Sequence, residues 1–152
     1  MPRRAETYDE VLELLGALLS GSSVNHVGTH FTADDVRFLP PPVQDELPIW
    51  IAARWPNPKP LVRAALHQGV VLIDLDEPAD LVAASAALSD HRHGDLDGFD
   101  VVVQRPAGDD PEPWVAVGAT WWLAAFDPFT VTPMDVRAAI AEKPGPEPTQ
   151  RH

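Results

Sequence analysis

The chain has 152 residues, with 11 basic and 23 acidic side chains, a formal net charge of −12 and no cysteine. The acidic balance argues against nucleic acid or an anionic membrane as partner, since both need clustered Lys and Arg. The lack of cysteine excludes a disulfide framework, a thiolate zinc site and thiol catalysis.

This length fits one domain, expected over residues 1–143, with a flexible tail over 144–152. The N-terminus MPRRAETYDE has no apolar signal-peptide core, and no apolar run approaches the roughly 20 residues of a membrane span. The cytoplasm is therefore the expected location.

The first predicted element is a helix over Thr7–Ser20. Thr7 and Glu10 have capping-box spacing, Tyr8, Val11, Leu12, Leu15, Leu18 and Leu19 make one apolar face, and Gly21 caps the end. Val24–His26 and Thr29–Phe31 suit a small hairpin around Gly28, and Pro40–Pro42 forces an extended segment.

From Leu47 to Ile73 the pattern is strand, helix, strand. Pro48–Ala53 is a short apolar run, a helix starts near Lys59 or Pro60, Gly69 ends it, and Val70–Ile73 is the next strand. Both runs have the composition of strands buried on two faces, as in a parallel sheet. Asp76 is placed to cap a helix over Glu77–Leu88, with Leu81, Val82, Ala84, Ser85 and Leu88 inward.

After the polar stretch Ser89–Gly98 come a Val-rich strand Phe99–Gln104, a loop Ala107–Pro113, one helical turn Trp114–Val117 and a strand Ala119–Ala124. Thr132, Pro133 and Asp135 start a last helix with Val136, Ala139 and Ile140 inward. The fold class is α/β, with about four parallel strands and flanking helices. Function in such sheets sits at the C-terminal strand ends, here just after Ala53, Asp74, Gln104 and Ala124. No Gly-rich dinucleotide fingerprint is present.

The segments DVRFLPPPVQ (Asp35–Gln44), PIWIAARWPNPKPLVRAA (Pro48–Ala65), FDVVV (Phe99–Val103) and GATWWL (Gly118–Leu123) resemble, in this order, the C-terminal half of bacterial luciferase-like flavin-dependent oxidoreductases. The resemblance runs from about Ala5 to Lys143. It implies a partial TIM-type (β/α)8 barrel comprising strands five to eight, and FMN or a deazaflavin as cofactor. The positions it implies at the cofactor are Ala52, Ala53, Arg54, Trp55 and Asn57. Ala52-Ala53 stands where the family usually carries Gly-Gly, and each added methyl obstructs close approach of a phosphate. Gln68-Gly69, Gln104-Arg105 and Ala124 replace Asp-Gly, Glu-Gly and Glu. No strand-end position offers a convincing catalytic acid or base.

Each candidate has a plainer reading. Arg54 with Asn57 is either an anion-binding corner or a surface corner held by an Arg salt bridge. Trp55 is a cofactor-side candidate, whereas Trp50 and Trp122 suit barrel-interior or strand–helix packing. His91 and His93 beside Asp90 and Asp95 suit a solvated helix end better than a metal site, and Gly108–Glu112 suits a solvated turn better than a calcium loop. No Ser sits in a Gly-flanked elbow, so hydrolase chemistry has no support.

A half barrel leaves two open sheet edges and an uncovered apolar face, which invite association. The expected assembly is a homodimer, closing a pseudo-barrel through a two-fold axis, or a partner supplying the missing half. Arg3–Glu6 is similar to interior sequence of the family, so the expected chain is truncated and of little activity alone. The alternatives are a non-catalytic interaction module or the remnant of a disrupted gene.

Overall fold

The structure is a computed structural model describing residues 2–44 and 47–141. The tail expected from residue 144 lies outside them. The chain forms two compact units, residues 1–47 and 48–152.

The first unit holds helix α1 (Pro2–Leu19) and the antiparallel strands β1 (Val24–Val27) and β2 (Thr32–Val36). The hairpin turns over residues 28–31, closed by the Gly28 N–H donating to the Phe31 carbonyl at 2.9 Å. Its second strand thus starts three residues later than the sequence suggested.

The helix starts five residues early, so Thr7 and Glu10 stand inside it and form no capping box. Thr7 Oγ1 donates to the Arg3 carbonyl at 2.6 Å. The Glu10 carboxylate accepts the N–H groups of Thr29 (3.1 Å), His30 (2.9 Å) and Phe31 (2.8 Å). Several convergent donors in one turn satisfy a carboxylate better than a single cap N–H does. Gly28 makes room for this, because a Cβ there would meet Glu10 Oε1 at 1.9 Å.

The second unit is a four-stranded parallel sheet in the order β3 (Trp50–Arg54), β4 (Gly69–Ile73), β5 (Asp100–Pro106), β6 (Trp121–Ala125). Between the strands lie α2 (Pro58–Ala64), α3 (Pro78–His91) and α4 (Glu112–Val115), and α5 (Pro133–Ala141) follows β6. The register pairs Trp50 with Gly69 and Gly69 with Asp100, then Val102 with Trp121.

Side chains alternate across a strand, so the register divides the sheet into two faces. Ile51, Ala53, Val70, Leu72, Val101 and Val103 form one face and are all buried. Leu61 and Ala64 of α2, Leu81, Ala84 and Leu88 of α3, and Trp114 of α4 supply the matching buried helix positions. Each fully buried Val or Leu contributes about 1.5–3 kcal/mol. The other face carries Trp50, Ala52, Arg54, Val71, Ile73, Asp100, Val102, Gln104, Trp121 and Leu123. Val102 at its middle is fully buried, whereas Trp121 is 44% exposed.

Several local expectations are corrected. Gly69 does not cap α2, which ends at Ala64, but opens β4. A Cβ on it would lie 2.6 Å from Trp50 Cδ1 and 2.7 Å from the Asp100 carbonyl oxygen, so close strand packing requires the glycine. Glu77, not Asp76, caps α3, because the Asp80 carboxylate accepts the N–H groups of both Asp76 and Glu77. The helix runs on to His91, into the stretch expected to be polar loop. Val82 is 52% exposed, since it sits about 100° off the stripe of Leu81, Ala84 and Leu88.

The turn around Trp114 starts two residues earlier, at Glu112. Helix α5 buries none of its residues, and Ile140 is 75% exposed. It follows the edge strand β6, and among the described residues no further strand stands beside β6 for it to pack across.

Candidate functional site

The C-terminal ends of the strands converge on a cleft of about 480 Å³, lined by Arg54, Ile73, Asp74, Gln104, Phe126 and Asp127 among others. Arg54, Ile73 and Gln104 reach it from the open face, by the alternation described above. Asp74 follows β4 with φ of +61°. A non-glycine residue in the left-handed region carries strain that Asp tolerates better than most, and such residues cluster at functional sites. Its carboxylate accepts a charge-assisted hydrogen bond from Arg54 Nη1. This pair joins the ends of β3 and β4.

The five positions implied at a cofactor are split by the geometry. Ala52 lies on the open face. Ala53 points into the helix layer and is 1% exposed, so the two alanines do not line one surface. Trp55 Nε1 donates to Asp80 Oδ1 at 3.2 Å, tying the corner after β3 to the cap of α3. The N–H groups of Asp76 and then Glu77, with the Trp55 indole, outweigh burial and hold the Asp80 carboxyl below the usual aspartate range. Asn57 caps α2, its Oδ1 accepting the Lys59 N–H at 3.2 Å.

A phosphate needs several free donors aimed at one point. At this corner the Trp55 N–H goes to the Ile73 carbonyl and the Asn57 N–H to the Arg54 carbonyl. Pro56, Pro58 and Pro60 have no N–H to offer, and the Lys59 N–H is used by the cap. Arg54 Nη1 already donates to Asp74. The residues present therefore do not form a cradle for a cofactor phosphate.

Arg105, beside Gln104, faces the helix layer. It donates to the Leu75 carbonyl and, at 3.1 Å, to Asp109 Oδ2, and its guanidinium lies 5.2 Å from the Trp114 ring centroid. This contact supplies a structural use for the acidic loop, where Asp110 Oδ1 also accepts the Glu112 N–H at 2.9 Å. Between His91 and His93, Arg92 donates to the carbonyls of Asp95 (2.8 Å) and Ala65 (2.9 Å). Among the described residues, no group of three His, Asp or Glu side chains is arranged to hold a metal.

At the opposite end of the open face, Asp100 accepts the indole N–H of Trp50 at 3.2 Å and that of Trp121 at 3.0 Å. The two rings stand 5.3 Å apart, tilted by 54°. Sequence reasoning marked Asp74 as a strand end without giving its side chain a role, and passed over Asp100. The signal for Asp74 was its place directly after a strand; that for Asp100 appears only once the register sets it between two tryptophans.

Parallel strands, crossover helices on one face and a cleft at the C-terminal ends define a (β/α)-barrel type of sheet, here without closure. Residues 1–144 match the luciferase-like monooxygenase family, and the chain belongs to it. It is similar in fold to the coenzyme F420-dependent tetrahydromethanopterin reductase from Methanopyrus kandleri, with 21% identity and a TM-score of 0.57. That likeness covers 67% of this chain and 30% of the reductase chain. No curated protein matches the sequence. Among the described residues no helix is long and apolar enough to cross a membrane.

Proposed function

We propose that this chain serves as the strand-five-to-eight half of a flavin- or deazaflavin-dependent oxidoreductase, and that its pocket is completed by a second half barrel, either another copy or a complementary partner. The observation that carries this reading is the strand-end cleft of Arg54, Asp74, Gln104 and Asp127, at the C-terminal end of the sheet face opposite the buried positions of α2 and α3. Family membership and the F420-dependent fold neighbour support a flavin or deazaflavin over other cofactors. Of the positions implied by resemblance, Ala52 and Arg54 share this face and are the ones the reading retains. The bound group would supply the redox chemistry, and this chain would supply one wall and the exclusion of water.

The test is a fluorescence titration with FMN, and separately with a deazaflavin, run alongside sedimentation at matched protein concentrations. Saturable binding confined to the associated species is expected. Absence of binding by any species up to several hundred micromolar, a range in which even roughly 5 kcal/mol of affinity would register, sinks the reading.

A second reading is a half barrel kept for pairing without catalysis. It is favoured by one observation: the donors at the Arg54 corner are spent within the chain. Association without flavin binding would select it.

A further inference from the structure

We infer that Asp74 acts as a built-in counter-anion, holding Arg54 at the mouth of the cleft and closing the strand-end corner to phosphate. The inference concerns the specificity of the site in the oxidoreductase reading and rests on that reading for its relevance, though not for its geometry. Arg54 is the one cation on the open sheet face, by the register of the described strands. Asp74 meets it from the adjacent strand end, where its backbone is left-handed.

A phosphoryl group approaching Arg54 lies beside this carboxylate, so the like charges oppose binding. No backbone donor compensates, because the neighbouring N–H groups of Trp55, Asn57 and Lys59 are already bonded and the intervening residues are prolines. A ligand accepted at this corner is therefore one whose polar end is neutral. A cofactor phosphate, if the completed pocket holds one, is held by other residues.

The experiment compares wild type, Asp74→Asn and the double variant Arg54→Ala/Asp74→Asn. Asn tolerates the left-handed backbone as Asp does, so D74N removes charge without a new backbone conflict; Asp74→Gly serves as a second charge-free variant should D74N misfold. The first probe is inorganic phosphate, followed by the broadening of its ³¹P resonance. Wild type is expected to give no Arg54-dependent broadening. D74N is expected to bind at least about tenfold more tightly than wild type, equivalent to about 1.4 kcal/mol, and the double variant to lose the gain. Equal phosphate binding by wild type and D74N overturns the inference.

The second probe is FMN against riboflavin, which lacks the phosphate. Preference of the wild type for FMN that disappears in Arg54→Ala overturns the inference while supporting the oxidoreductase reading. Equal binding of FMN and riboflavin by wild type supports both. If no variant binds either flavin, the oxidoreductase reading fails for this chain, and the phosphate probe still decides the role of Asp74.

Discussion

The two faces of the parallel sheet are built from the same strands and solve different problems. The helix face is uniform: Ile51, Val70, Leu72, Val101 and Val103 are sealed beneath α2, α3 and α4. The open face is graded. Tryptophans and Asp100 sit at its N-terminal end, aliphatic residues at the middle, and Arg54, Asp74 and Gln104 at the C-terminal end. Strand alternation lets one sequence write both patterns independently. Burial is therefore concentrated on one face, although Val102 is also fully buried on the other.

The largest effect that would break this comparison is at the sealed face. Leu72 is fully buried, and Leu72→Ala is expected to cost about 3 kcal/mol through lost transfer energy and a cavity. Urea denaturation measures it; a cost similar to that of truncating exposed Leu123 would dissolve the distinction between the faces. Gly69→Ala should come next. The added methyl collides with Trp50 and with the Asp100 backbone, and overpacking of this kind costs about 1–3 kcal/mol. Because the collision falls on the open face, tryptophan fluorescence should change along with stability.

The smallest effect is a pH dependence of the helix layer. The folded state holds the Asp80 carboxyl below its usual value. Its contribution is present above the unfolded aspartate value of about 3.9 and is lost as pH falls through the lower folded value. Asp80→Asn should flatten that part of the acid limb in a series of thermal melts. An unchanged acid limb would show that Asp80 does not secure the layer.

The alternating strands and helices of residues 48–125 were legible because strands buried in a parallel sheet read as continuous apolar runs bounded by Pro and Gly. Ile51–Ala53, Val70–Ile73 and Val101–Val103 all have that form. What escaped reading depended on partners distant in sequence. Glu10 has capping-box spacing from Thr7, yet its carboxylate bonds a turn about twenty residues away. Gly69 looks like a helix terminator and instead yields space to Trp50 and Asp100. The last helix has an amphipathic pattern, but among the described residues no strand beyond β6 is present for α5 to pack across. The strand-end location of the cleft was readable, and so was Arg54 as a candidate. Its engagement by Asp74 was not, because the two meet only through the β3–β4 register.

The tryptophan pair also makes the sheet its own optical reporter. Two indoles 5.3 Å apart at a 54° tilt couple their electronic transitions, and such coupling produces paired circular-dichroism bands of opposite sign. The Asp100 carboxylate locks both rings by their N–H groups, so the couplet is set by the β3–β5–β6 register rather than by ring mobility. Any event that covers or reshapes the open face would thus be recorded in the protein's own spectrum, without a label.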